Sequence, residues 1–149
     1  MLAALGVVAS VGVVADLYSR LPARIPTHFN AEGVADGFGA RSTLWVLVGV
    51  VVWSYGMLSV INFLPVTVNS PKPLTVAQRE AVWTDALALV GWIKVEMAWL
   101  MAYLLFAMAR NGLGRQAGLG AAFAPVLMVV ILGTCGFYLA KIFRLMRES

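Results

Sequence analysis

Four long apolar segments constrain the fold of this chain more than any other feature of its sequence. They cover residues 1–17, 43–64, 83–109 and 119–140. A bilayer core of about 30 Å is crossed by about 20 helical residues. Because lipid offers no partner for an unpaired backbone amide, a segment that crosses it must be helical. The sequence therefore predicts an all-α integral membrane protein, a four-span helical bundle forming one membrane domain over residues 1–149.

Composition excludes the soluble alternatives. Only 12% of the residues are charged and 61% are hydrophobic, whereas a soluble domain carries about 25% charged residues. The single cysteine, Cys135, excludes an internal disulfide and the paired-cysteine zinc and redox motifs. The net charge of +4 is scattered between the apolar segments, which argues against a nucleic-acid partner. The lipid bilayer is the partner that this composition predicts.

The first segment is short, because Asp16 interrupts it. A cleaved signal peptide is the alternative, but no basic residue precedes the apolar stretch. The third span is expected to begin in a longer helix capped by Thr75, after a proline-containing extended linker over residues 65–72. The glycine-rich third loop, from Asn111 onward, is interpreted as a short turn.

The first loop, residues 18–42, contains prolines, glycines and apolar residues in a pattern that is unlike a solvated linker. Pro22 and Pro26 exclude a regular helix, and its glycines allow the backbone to turn. Its apolar side chains predict an ordered loop that folds onto the mouth of the bundle. Those side chains are Leu21, Ile25, Phe29 and Phe38.

The same loop contains a long motif. It comprises Leu21, Pro22, Ile25, Pro26, His28, Phe29, Asn30, Gly33, Asp36, Gly39 and Arg41. This string resembles the opening loop of a bacterial membrane family, a domain of unknown function that also forms the N-terminus of SdpI-type immunity proteins. Arg41 departs mildly from the family pattern, in which lysine is more frequent. Asn62, followed by Pro65 and Asn69, resembles the stretch after the family's second span.

The resemblance implies a multi-pass protein of the bacterial inner membrane. SdpI-type proteins have further spans and protect the producing cell against its own secreted toxin. The resemblance thus implies an immunity-like protein that binds a peptide toxin or a lipid-like ligand through its first loop. An accessory subunit of a larger membrane complex is the alternative. With four spans, the basic residues divide equally between the two sides, and the basic C-terminus favours cytoplasmic termini.

Catalysis has no support in the sequence, and we expect no cofactor; a metal-dependent membrane enzyme that uses His28 and Glu96 is the third hypothesis, after the immunity-like protein and the accessory subunit. His28, the only histidine, lies near Asn30, Glu32 and Asp36. One imidazole with oxygen ligands is a weak metal site. Hydrogen bonding to the loop's own carbonyls or ligand recognition are the alternatives for His28. Asp36 is interpreted as a turn residue that could also pair with Arg41.

Lys94 and Glu96 are charges within the third span, where each costs at least about 2.5 kcal/mol. They point about 200° apart on a helix, so they cannot pair and each needs its own partner. Either they join helices, or they face a ligand or ion cavity. Trp92, Trp99 and Tyr103 lie on or near the Glu96 face, which predicts a partly aromatic cavity there. The candidate ligand-binding or structural residues are His28, Phe29, Asn30, Gly33, Asp36, Arg41, Asn62, Lys94 and Glu96.

Overall fold

The computed structural model describes residues 1–64 and 73–147. Its long helices are α1 (Leu2–Leu17), α2 (Thr43–Val60), α3 (Val76–Gly112) and α4 (Phe123–Arg147). Short 3-10 turns follow α1 at Tyr18–Arg20 and α2 at Ile61–Phe63. Two strands, β1 (Arg24–Phe29) and β2 (Ala35–Ala40), lie between α1 and α2. The predicted extended linker, with Pro65 and Asn69, lies outside the described residues.

All four helices are long and apolar enough to cross a membrane. Large apolar side chains lie on their outer surfaces, and α4 has no buried residue. Residues 1–64 and 73–147 thus contain four candidate spans, the number predicted.

Helix α3 is the centre of the bundle, against which the other three helices pack. Its start is the predicted one. Thr75 forms a capping box with Gln78, in which the Thr75 hydroxyl accepts from the Gln78 backbone N–H at 3.2 Å. With 37 residues, α3 is about 55 Å long, well beyond the thickness of a bilayer core.

The first loop is ordered, as predicted, but it forms an antiparallel β-hairpin, so the all-α prediction is wrong for this segment. The prolines forbid a helix there, and the extended backbone pairs with itself instead. The pairing runs from Arg24 opposite Ala40 to Phe29 opposite Ala35, with irregular register around His28. The hairpin meets the end of α3, which places it over one end of the bundle.

The apolar side chains of the hairpin differ in burial. Leu21 and Ile25 are buried in a core with Val14 and Leu105, and Phe29 packs partly against it. Phe38 is 53% exposed, so the prediction that it packs on the bundle is wrong. Along β2, exposed residues alternate with half-buried ones, and Phe38 falls on the exposed face.

Candidate functional site

A groove lies between α3 and the segment formed by α4 and the end of the loop before it. Its volume is about 730 Å³, and it opens to the outside of the bundle. Most of the surface that lines the groove is apolar. The lining residues are Trp92, Val95, Glu96, Trp99, Leu100, Tyr103, Leu119, Gly120, Ala122, Phe123, Val126, Leu127, Val130 and Thr134.

Among the described residues that line the groove, Glu96 alone carries a formal charge. Its Oε1 accepts a hydrogen bond from the Thr134 hydroxyl at 2.5 Å, which joins α3 to α4. Trp92, Trp99 and Tyr103 line the same groove, because residues three or four positions apart share one face of a helix. The partly aromatic cavity with one acid, predicted from this spacing, is present.

One end of the groove is closed by the loop between α3 and α4. The Tyr103 hydroxyl donates to the Leu119 carbonyl at 2.6 Å, and its ring stacks on Phe123 with centroids 5.2 Å apart. The Asn111 side chain accepts from the Gly118 N–H at 2.6 Å and donates to the Gly118 carbonyl at 2.9 Å. This loop is therefore an ordered part of the site, although its glycine-rich sequence predicts only a short turn.

The first loop reaches the same end of the groove. The backbone N–H of Leu119 donates to the Gly33 carbonyl at 2.8 Å. Gly33 has a φ of +76°, which suits glycine. Asn30 supports this turn, since its side-chain oxygen accepts from the Val34 N–H at 2.8 Å. Asn30 and Gly33 thus hold the hairpin tip beside a residue that lines the groove.

An ion pair joins α3 and α4 beyond the other end of the groove. Lys141 Nζ lies 2.6 Å from Asp85 Oδ1, and Asp85 is only 6% exposed. This pair was not predicted from the sequence. Asp85, a single acid near the start of the third span, was the signal that a basic partner is needed there. Together with the Glu96–Thr134 bond, it sets how α4 lies against α3.

Lys94 points away from Glu96, as predicted, and reaches a polar residue of another helix. Its Nζ donates to the Ser59 hydroxyl at 3.2 Å and lies 5.1 Å from the centre of the Tyr55 ring. Asn62 also donates to the Ser59 carbonyl at 3.2 Å. The structure thus brings Lys94 and Asn62 together through Ser59, at the contact of α2 with α3 and outside the groove.

His28 lies on the exposed surface of the hairpin. Its Nδ1 is 2.5 Å from Asp36 Oδ1, and the His28 side chain is 71% exposed. The partner is thus a carboxylate, not a loop carbonyl. Asp36 lies within β2, so its interpretation as a turn residue is wrong. Its carboxylate pairs with His28, and the Arg41 guanidinium donates to the Leu21 carbonyl instead, so the suggested pairing of Asp36 with Arg41 is not the observed one. Within the described ranges, no group of three or more metal-ligating side chains occurs.

Arg41 fastens the base of the hairpin. Its guanidinium donates to the Leu21 carbonyl at 2.9 Å and lies 4.9 Å from the centre of the Tyr18 ring. Its backbone N–H donates to the Ala23 carbonyl at 3.1 Å. These contacts give Arg41 a structural role in positioning the loop.

Comparison with known proteins adds one match. Residues 5–52 match DUF1648, a domain of unknown function. The DUF1648 match covers most of α1, the hairpin and the first half of α2, about a third of the chain. Neither the curated proteins nor the solved structures contain a match. The groove between α3 and α4 lies outside the matched region.

Proposed function

We propose that the protein is a non-enzymatic, multi-pass protein of the bacterial inner membrane that binds an amphipathic, lipid-like molecule in the α3–α4 groove. The groove itself is the observation that carries this proposal. Its volume of about 730 Å³ falls in the range of about 300–1,000 Å³ that is typical of small-molecule sites. An apolar lining with few polar groups also suits a molecule with a long apolar chain.

The position of the groove supports a ligand that arrives through the bilayer. Both helices that form it are candidate membrane spans. The groove opens sideways, between two such helices, and its apolar side chains would be continuous with the lipid phase. The hydrogen-bonded loop from Asn111 to Leu119 closes one end, so a chain inserted from the side would stop there.

A larger side chain that fills part of the groove tests the proposed binding of a lipid-like molecule. Val130 lines the groove and neighbouring Val129 does not, so Val130→Phe and Val129→Phe form a matched pair. Both are made in a background with Trp45, Trp53 and Trp83 replaced by phenylalanine, leaving Trp92 and Trp99 as reporters. The probe is a single-chain maltoside brominated in its chain, which quenches tryptophan fluorescence on contact.

We expect saturable quenching in the background protein and in Val129→Phe, and at least a fivefold weaker affinity in Val130→Phe, since about 1 kcal/mol of lost contact gives that ratio. Equal binding by both variants would show that the chain binds elsewhere. Absence of saturable quenching in the background protein would refute the groove as a binding site.

An immunity role of the SdpI type is the finer function that we propose for this binding. It is supported by the first-loop motif from Leu21 to Arg41 and by the match of residues 5–52 to DUF1648. In this proposal the first loop, through the contact of Gly33 with Leu119, shapes the end of the groove. Expression in a strain sensitive to a secreted toxin of an SdpI-type system should restore growth. Continued killing despite membrane expression would contradict the role.

Helix α4 favours an accessory subunit as the second candidate function. None of its residues is buried, and its outer face carries large apolar side chains such as Val129 and Leu132. A larger membrane complex could cover that face. Purification in a mild detergent, followed by native mass spectrometry, distinguishes a stoichiometric partner from the protein alone.

A further inference from the structure

We infer that the groove recognises an ammonium-type cation carried on a single alkyl chain, with Glu96 as the anion that pairs with it. This inference rests on the proposed function, because it names the chemistry of the ligand for the same groove. It is carried by the juxtaposition of one carboxylate with three aromatic side chains of α3, in a lining whose other polar side chain is that of Thr134.

The charge of Glu96 is not balanced by another residue of the groove. Lys94 lies outside the groove, where it contacts Ser59 and Tyr55 on the α2 side of α3. None of the described residues that line the groove is basic. Thr134 donates to Oε1 only, and in residues 1–64 and 73–147 no hydrogen bond reaches the other carboxylate oxygen. A carboxylate in apolar surroundings is stabilised by a cation that pairs with it, and a cationic ligand in the groove supplies one.

The aromatic side chains complete the recognition. Trp92 and Trp99 lie one helical turn to either side of Glu96, and Tyr103 lies on the next turn. The face of an aromatic ring attracts an ammonium group, most strongly when water is excluded. The Trp99 ring is also held in place, because its N–H donates to the Leu2 carbonyl at 3.2 Å.

The lining residues of the groove indicate where the apolar chain of the ligand lies. Glu96 lies nearer the Trp92 end, and about 10 Å of α3 separates it from Tyr103. The part of the groove between Glu96 and Tyr103 is lined by Leu100, Val126 and Leu127. This apolar lining suits an alkyl chain that runs from Glu96 towards Leu119. A single charged head group with one alkyl chain matches these two parts of the groove, so we assign the occupant as a small amphiphile.

Three probes with the same brominated chain test the inference. Their head groups are trimethylammonium, uncharged maltoside and sulfate, and each is titrated in maltoside micelles with Trp92 and Trp99 as reporters. The variants are Glu96→Gln and, as a matched control on the same helix, Glu80→Gln, which is exposed and outside the groove. Gel filtration verifies that each variant is folded.

We expect the ammonium probe to bind about tenfold more tightly than the uncharged probe, with the sulfate probe weakest. Glu96→Gln should reduce the ammonium preference to within about twofold and leave the affinity for the uncharged probe unchanged, whereas Glu80→Gln should retain the preference. Equal binding of the three probes, or an ammonium preference that survives in Glu96→Gln, would overturn the inference and leave the groove proposal intact. If no probe binds, the groove proposal fails with it.

Discussion

Ile25 shows how a single hairpin side chain fixes the loop on the bundle. It is fully buried in the core at the mouth, whereas Phe38 on the partner strand is half exposed. The end of α3 admits Ile25 because Gly112 has no side chain. A Cβ at Gly112 would lie 2.7 Å from the Ile25 Cγ2 atom, too close for both to stay in place. The anchoring of the hairpin therefore depends on Ile25 and Gly112 together.

Truncation of Ile25 should destabilise the protein, and truncation of Phe38 should not. Ile25→Ala removes a buried side chain, so we expect the free energy of unfolding in detergent to fall by about 3 kcal/mol. Phe38→Ala should change it by less than about 0.5 kcal/mol, since surface substitutions have small effects. Denaturant unfolding, followed by circular dichroism, measures both. Equal losses in the two variants would mean that the hairpin is not anchored through Ile25.

The surroundings of Glu96 could be predicted from the sequence only in part. Its place inside an apolar span identified it as a residue that needs a partner, and helical spacing predicted the aromatic neighbours on α3. The spacing could not identify Thr134, because that contact depends on how α4 is rotated and shifted against α3. The same reason hid the ion pair of Asp85 with Lys141, whose members are 56 residues apart.

At the scale of elements, α1 approaches the backbone of α3 closely at Gly6. At Gly6, an added Cβ would lie 2.9 Å from the Ala98 Cβ and 3.1 Å from the Trp99 backbone nitrogen. Small residues at a crossing let two backbones approach, which is how helices in membranes associate tightly. Gly12, on the same helix, meets no atom within 4 Å. The two glycines of α1 therefore have different roles.

Adding a methyl group at these two glycines should have opposite effects. Gly6→Ala forces α1 away from the α3 backbone, and we expect a loss of about 1–3 kcal/mol in the free energy of unfolding. Gly12→Ala has space and should be neutral or stabilise the helix by up to about 1 kcal/mol. Thermal unfolding of the purified variants measures the difference. A loss in Gly12→Ala as large as that in Gly6→Ala would contradict this packing of α1.

Helices and the hairpin differed in how well the sequence predicted them. Long apolar runs and the Thr75 cap are strong local signals, and the helices follow them. Strand β2 contains Asp36, Gly37 and Gly39, residue types that are rare in strands, so its pattern does not resemble one. The contact of Leu119 with Gly33 is between backbone atoms, which leaves no side-chain signature for the sequence to show.

At the scale of the whole molecule, the two ends of the bundle differ. The hairpin and the loop before α4 meet at one end through Leu119 and Gly33, while the start of α3 and the end of α4 meet at the other through Asp85 and Lys141. Basic residues occur at both ends, which leaves the positive-inside rule nearly balanced. Several basic residues, including Lys141, lie close together at the end of α4. They are the basis of our proposal that this end of the bundle is cytoplasmic.

Thiol labelling tests that orientation together with the crossing by α2. In a Cys135→Ala background, Ser19→Cys places a thiol beside the hairpin and Glu80→Cys places one near the start of α3; both positions are exposed. A membrane-impermeant maleimide should label Ser19→Cys in spheroplasts, because the hairpin end lies outside, and Glu80→Cys only after lysis. The reverse pattern would invert the orientation and keep the number of spans. Labelling of both thiols in intact spheroplasts would place them on one side, which α2 forbids if it crosses the bilayer between them.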